Sequence, residues 1–404
     1  MERSKSVKRC KNVKLISLTV LFLPFLTGCW SSHEIEDVSI EVGLSLDKGE
    51  VSTIEKELEE QGGGYPKNNN ITLTFQTVNT KVAVTGSKGG GSEQKSYLNV
   101  SETGDSTFQM VREISLRRDR PIIGHHLKVI IISEELLNTY NLEELLDSYL
   151  RDNDIRPSCL VLISKGRASD ALESNQIGEI PSFRLVKMVE NGYRSNKILP
   201  PMPLAKLTGK MQSDSSYLLQ NVISTNGEVK FAGAAVIKGE SNMLVGFLKE
   251  EELEGITWIT GKVKGGLVKS SEKGQLIAYE IKSIKSKIIP KVRGGNISFD
   301  VNIKSEGRLS ENWVNSGDPF DNEFLKKTEK VVESEVKRLM KNVVQKMQED
   351  YEVDVAGFGN ELRIKYPKVW RKVKKDWDQT FSKIPIKYNV EIRITDYGAI
   401  GSKK

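Results

Sequence analysis

Leu15 to Gly28 carries no charge and ends in Leu26-Thr27-Gly28-Cys29, directly behind a basic N-terminus. Arg3, Lys5, Lys8, Arg9, Lys11 and Lys14 precede it, opposed only by Glu2. A charged start, an apolar stretch and small residues at its end form the plan of a secretory signal peptide. The stretch contains Pro24 and falls short of the ~20 residues a spanning helix needs. A small residue just before a cysteine, with leucine three positions back, is a bacterial lipobox. Residues 1–28 are therefore expected to be removed, leaving Cys29 first and carrying an S-diacylglycerol group. Two acyl chains anchor a protein stably where one does so only marginally. The chain is thus read as an extracytoplasmic protein held on the outer face of a membrane by Cys29, without crossing it.

This processing changes what composition implies. The formal net charge of +6 resides mostly in residues 1–28, so the mature chain is close to neutral and nucleic acid is not an expected partner. Of three cysteines, Cys10 leaves with the signal and Cys29 takes the lipid. Only Cys159 remains, inside the apolar run Cys159-Leu160-Val161-Leu162-Ile163, so no intramolecular disulfide can form. Such a thiol is expected to be a small core residue.

The pattern along the chain predicts an α+β fold in three consecutive domains: a mixed α/β domain over 29–200, a small β-rich domain over 201–292 and an α+β domain over 293–404. In the first, 35–46, 71–75 and 128–132 read as strands, with glycine-rich loops around 62–64 and 89–91. Asp105 or Ser106 caps a helix whose apolar positions Phe108, Val111 and Ile114 recur at threefold spacing. Asn141 caps another, with Leu142, Leu145, Leu146 and Tyr149 on one face. Pro200-Pro201-Met202-Pro203 is read as a domain boundary. Strand-like runs follow over 229–238, 243–248 and 275–289, and Pro290 with Gly294-Gly295 marks the next boundary. Asp318-Pro319 is then expected to open the longest helix, striped with Val332, Val336, Leu339, Val343 and Met347. A helical segment with Trp370, Val373, Trp377 and Phe381 and a strand over 387–394 close the chain.

No catalytic pattern emerges. His125-His126 lacks the spacing and glutamate partner of a metalloprotease, Gly357-Phe358-Gly359 lacks the third glycine of a dinucleotide loop, and there is neither a phosphate loop nor a nucleophile elbow. The chain is expected to be no enzyme and to need no cofactor or metal. Lys262 to Arg293 is strongly basic and reads either as a solvated strand face or as a surface for anionic headgroups or an acidic partner.

Four fragments in order behind the lipobox carry a family resemblance. They are Gly28-Cys29-Trp30 with Glu34-Ile35-Glu36-Asp37 and Gly43 to Lys48; Gly124 to Glu135; Phe231 to Val236 with Gly246 and Thr260-Gly261-Lys262; and Phe358-Gly359-Asn360 with Tyr366-Pro367, Trp370, Trp377 and Phe381. Together they resemble the Ger(x)C family of spore germination lipoproteins. That resemblance implies a non-enzymatic subunit of a nutrient germinant receptor, on the outer face of the spore inner membrane, working with membrane-embedded A and B subunits. It carries over one residue of defined chemistry, Cys29. One rival class is a solute-binding lipoprotein of a membrane transporter, with two lobes joined by hinge strands. The other is a surface hydrolase, for which the chain lacks a nucleophile–base arrangement.

Overall fold

The computed structural model describes residues 37–51, 53–62, 70–80, 94–262, 264–315 and 318–398. Residues 1–28, Cys29 and most of the two glycine-rich stretches lie outside the described residues. The fold is α+β, built on two sheets.

The first sheet contains β1 (Ser39–Lys48), β2 (Ile71–Val78), β3 (Tyr97–Gly104), β4 (Ile122–Ile123), β5 (Val129–Ser133), β6 (Leu160–Ser164), β7 (Tyr217–Thr225), β8 (Glu228–Ile237) and β9 (Leu244–Leu248). Its order is β3-β2-β1-β5-β6-β7-β8-β9, with β4 added beside the start of β1. The central pairs β1–β5, β5–β6 and β6–β7 are parallel, and both flanks are antiparallel. Parallel strands buried on both sides need apolar residues at every position, which is why Val129-Ile130-Ile131-Ile132 and Leu160 to Ile163 are unbroken hydrophobic runs. Alternate side chains supply two cores. Ile130, Ile132, Val161 and Ile163 face one, while Val129, Ile131, Leu160 and Leu162 face the other.

Among the described residues, six helices accompany this sheet: α1 (Thr53–Gly62), α2 (Thr107–Glu113), α3 (Glu134–Leu137), α4 (Leu142–Arg151), α5 (Pro181–Glu190) and α6 (Leu204–Met211). Asn141 caps α4 as its sequence suggests, in a box completed by Glu144, and Leu142, Leu145, Leu146 and Tyr149 are buried. Helix α2 departs from expectation. Ser106 caps it, but Met110 and Ile114 are buried while Phe108 stands 52% exposed.

The second sheet runs β10 (Leu267–Glu272), β11 (Gln275–Arg293), β12 (Asn296–Asn312), β13 (Ile386–Asp396) in spatial order. Five helices pack with it: α7 (Glu250–Thr260), α8 (Asn322–Gln345), α9 (Phe358–Lys365), α10 (Pro367–Val373) and α11 (Trp377–Phe381). The long helix α8 buries Val332, Val336, Leu339 and Val343. Its N-cap is Asp321, not Asp318; the Asp318 carboxylate instead accepts from Phe320 N–H in the turn before it. The opposite face of the sheet is wet. Lys285 and Lys287 are exposed there, and Lys285 lies across from Lys304, which pairs with Glu391.

The β-rich middle domain expected over 201–292 does not form a sheet of its own. Strands β7–β9 extend the first sheet, while β10 and β11 begin the second. An unpaired β6 edge would expose its backbone donors and acceptors. Strand β7 covers it at Ile163–Asn221 and Ser164–Val222, and Lys165 N–H donates to the Asn221 side chain at 3.0 Å. The proline cluster does not end the first unit either. Val161 N–H donates to Met202 C=O at 3.1 Å and Leu204 N–H to Cys159 C=O at 2.8 Å, which ties the segment across β6. The boundary near 293 is a hairpin: Gly294 and Gly295 adopt φ +55° and +88°, and Arg293 pairs with Asn296.

Candidate functional site

The proposed lipid attachment point, Cys29, lies outside the described residues, but the place where its chain enters the fold is clear. Ser39 N–H donates to Pro121 C=O at 2.9 Å, and β1 starts in parallel with β4. Beside this entry is an open cleft of about 640 Å³, lined by Val38, Leu98, Val100, Arg118, Arg120, Ile122 and Glu173 among others. Several of its polar groups are occupied with one another. The Glu173 carboxylate accepts from Lys95 Nζ at 2.6 Å, Tyr97 OH at 2.9 Å and Asn99 Nδ2 at 2.8 Å. Burial would raise this carboxyl; the hydrogen bonds from Lys95, Asn99 and Tyr97 outweigh it and hold Glu173 below its ordinary value.

The other side chains capable of chemistry have structural surroundings. His125 Nε2 lies 3.3 Å from Asp154 Oδ1, both half-exposed or more. Burial, then the charges of Arg156 and Lys128, lowers the pKa of His126. Among the described residues no group of three His, Cys, Asp or Glu is placed to hold a metal ion. Cys159 is buried, and burial followed by the Glu41 carboxylate pushes its thiol well up, so it is a poor nucleophile. Glu41 is itself buried in this core. Burial, with a smaller contribution from Asp152, pushes its carboxyl up to about 8. One Glu41 oxygen and the neighbouring core hydroxyl of Tyr149 have no hydrogen-bond partner among the described residues. Gly124 touches the same place: a Cβ there would meet Ile155 Cδ1 at 2.4 Å.

A second polar centre lay hidden in the sequence. Asp354 is buried and accepts from the backbone N–H groups of Ala356, Gly357, Phe358 and Gly359 at 2.7–3.2 Å, and from Trp377 Nε1 at 3.1 Å. It thereby holds the N-terminus of α9. A Cβ on Gly359 would lie 2.6 Å from Trp377 Nε1 and 3.0 Å from Trp370 Cη2. This accounts for the glycines and tryptophans of the closing fragment: Gly359 admits the indoles, Phe358 meets Phe299 edge to face and lies tilted against Phe381, and Trp377 donates to Asp354. Gly357-Phe358-Gly359, which lacks the third glycine of a dinucleotide loop, is the start of a helix, with Gly357 at φ +89°.

No helix among the described residues is long and apolar enough to cross a membrane. Two family descriptions match the chain: "Spore germination protein N-terminal domain" over residues 31–223, and "Spore germination B3/ GerAC like, C-terminal" over residues 232–398. Their junction, between 223 and 232, falls at the β7–β8 hairpin of the first sheet. Spore germination protein YndF of Bacillus subtilis (strain 168) is 51% identical over 389 residues, covering 95% of this chain and 96% of that one. Spore germination protein A3 of the same organism is 31% identical, covering 94% and 96%. Spore germination protein B3, also from that organism, is 29% identical over 97% of this chain and 100% of its own length. The crystal structure of the GerBC protein superposes with a TM-score of 0.60 at 27% identity, over 82% of this chain and 96% of that one.

Proposed function

Because the chain belongs to the Ger(x)C family of spore germination proteins, we propose that it is the lipid-anchored, non-enzymatic C subunit of a nutrient germinant receptor. In this reading it acts with membrane-embedded A and B subunits on the outer face of the spore inner membrane. The observation that carries it is the pair of family matches, which run from residue 31 to residue 398 immediately behind a lipobox ending at Cys29.

Three features support the reading. Val38 enters the fold nine residues after Cys29, so an acylated Cys29 would sit within about 30 Å of the first sheet even with the chain fully extended. Two acyl chains on that cysteine supply the membrane attachment. The groups that could serve catalysis are instead bonded to one another or buried, as Glu173, Cys159 and Asp354 show. A solute-binding lipoprotein would have two lobes on hinge strands. Here the two sheets are joined at α7, which packs on β8, β11 and α8, and by Tyr351 on β9.

The test replaces Cys29 with alanine in spores. The variant should remain unprocessed and unlabelled by radioactive palmitate, and spores carrying it should respond poorly to nutrient. Tagged parent protein should co-purify with polytopic membrane subunits. Retained palmitate labelling in Cys29→Ala would overturn the anchor assignment, and a normal nutrient response without this chain would overturn the receptor role.

A further inference from the structure

Helix α2 and the turn after it carry an outward stripe that hydrophobic burial does not explain. Phe108 and Arg112, four apart, share one face of α2, and Leu116 ends the short 3-10 turn, Ile114–Leu116, that follows it. Phe108 is 52% exposed and Leu116 84% exposed, while Met110 and Ile114 on the other face are buried. The Arg112 guanidinium lies 5.0 Å from the Phe108 ring centre. The chain then runs Arg117-Arg118-Asp119-Arg120. Arg117 is committed to the fold: it pairs with Glu102 and donates to Ser101 C=O of edge strand β3. Arg118 has no ion partner among the described residues and stands exposed, and Arg120 reaches only Asp119, at 3.9 Å.

The location of this turn gives it meaning. Pro121 C=O accepts from Ser39 N–H, and Ile122 pairs with Ser39, so the arginine turn is adjacent to the point where the chain from Cys29 enters the fold. Exposed apolar residues scattered singly are unremarkable, but apolar and basic residues together beside a membrane tether form an interfacial surface. A flanking cleft sets Asp147, Asp152 and Asp154 beside Phe108, Arg112 and Arg151, and Arg151 is already paired with Asp147 at 2.9 Å, so Arg112 there faces the remaining aspartates. The contact is therefore centred on Leu116, Arg118 and Arg120 and not on the whole helix.

We propose that the turn Leu116–Arg120 docks on an anionic lipid surface, with Leu116 entering the headgroup layer and Arg118 and Arg120 meeting lipid phosphates. The inference rests on the lipid-anchor reading for its local concentration. A tether nine residues long keeps the turn near the bilayer, so a surface too weak to bind from solution is occupied once the chain is anchored. It would fix which side of the first sheet faces the membrane.

The experiment uses the lipidated full-length protein, reconstituted in vesicles of phosphatidylglycerol and phosphatidylcholine or of phosphatidylcholine alone. An environment-sensitive dye is placed on Leu116→Cys or, as a control of similar exposure, on Ile177→Cys, 80% exposed in the parent. Cys159 is buried and stays unlabelled. The dye at 116 should shift to the blue and be quenched by headgroup-labelled lipid in the anionic vesicles only, while the dye at 177 should do neither. Arg118→Gln with Arg120→Gln should reduce the quenching about fivefold, as should raising salt from about 0.1 M to about 0.5 M. Arg117 is left intact, and thermal melting confirms that the variants are folded. Equal signals at 116 and 177, or equal signals in both vesicle types, would overturn the proposal. So would protection at 116 that requires added membrane subunits, since the occupant would then be protein. A soluble Cys29→Ser form separates the two readings. Weak, salt-sensitive binding of that form to anionic vesicles sustains the docking surface even if palmitate labelling disproves the anchor.

Discussion

Ile394 N–H donates to the carboxylate of Glu329 at 2.8 Å, joining the outer edge of the second sheet to its longest helix. One turn further along α8, Glu333 accepts from Ile392 N–H at 3.4 Å. Both amides belong to β13, whose other side pairs in parallel with β12. An edge strand needs its free donors covered or it becomes a template for association. Two carboxylates spaced four apart on α8 do this, because residues at that spacing share a helix face and alternate strand amides point the same way.

Glu329→Ala and Glu333→Ala should each expose one of these donors. Hydrogen bonds to charged acceptors contribute about 1.5–3 kcal/mol, so each variant should lose stability of that order. Amide exchange at Ile392 and Ile394 should accelerate selectively, and the double variant should self-associate at high concentration. Unchanged exchange at both amides would show that the helix does not cover this edge.

Asp354→Asn tests the polar centre that holds α9. The replacement has nearly the same shape but turns an NH₂ group toward donors, so at least two of the five N–H groups lose their acceptor. Unpaired buried donors cost about 1–3 kcal/mol each, and a loss of about 3 kcal/mol is expected. Because Trp377 Nε1 is one of the donors, tryptophan fluorescence should change in the native variant before any denaturant is added. A native spectrum and urea midpoint matching the parent would contradict the assignment.

These cases mark what can be seen in a sequence of this kind. The Asn141 cap, the α4 face and the strand β5 were legible because each depends on residues within one turn or one strand. The long helix was legible as a stripe, with its start displaced because both Asp318 and Asp321 can accept from nearby amides. Strand partnership was not legible. The patterns of β7–β9 and β10–β11 are alike, and which sheet each joins depends on contacts far apart in sequence. Phe108 was misplaced because threefold spacing fits two adjacent helix faces, and only packing against Met110 and Ile114 decides between them. Asp354 left one signal, a carboxylate shortly before Gly357 and Gly359, while its fifth donor lies 23 residues away at Trp377. The proposal for Cys29 rests on the sequence alone.

Glu41 should make stability depend on pH. Its buried carboxyl titrates at about 8 in the native state, against an ordinary value of 4.5 when unfolded. Between these values the native state binds the extra proton, so this group's contribution is full below about pH 4.5 and is lost as pH rises through about 8. The slope from this group approaches about 1.4 kcal/mol per pH unit at most. Glu41→Gln removes the titration while keeping the shape. Urea midpoints of parent and variant compared at pH 5 and pH 8 should therefore diverge, with the parent losing more on going to alkaline pH. Parallel pH profiles would mean that Glu41 is ionised in the native protein.

The last expectation concerns the joint between the two sheets. Tyr351 follows the wide turn Lys346–Asp350 at the end of α8, and its hydroxyl closes both ends of one peptide pair on β9. Phe247 N–H donates to it at 3.1 Å, and it donates to Phe247 C=O at 2.8 Å. Strand β9 is an edge of the first sheet, so a side chain from the second unit completes it. Gly246 makes room for this. Its φ is +155°, and a Cβ there would lie 2.5 Å from Tyr351 Cε1. The lysine at the start of the turn clamps the same ring: Lys346 Nζ sits 5.4 Å from its centre and 3.0 Å from Glu252 on α7. Tyr351→Phe should keep the packing and lose both hydrogen bonds, at a cost of about 1–2 kcal/mol. Gly246→Ala should cost more, because the ring must move and the backbone is strained. In hydrogen exchange, Tyr351→Phe should release the Phe247 amide while leaving the β5 and β6 amides protected, and Gly246→Ala should also loosen 346–353. If Tyr351→Phe leaves Phe247 as slow as in the parent, the two sheets are held together by α7 and its ion pairs without this bridge.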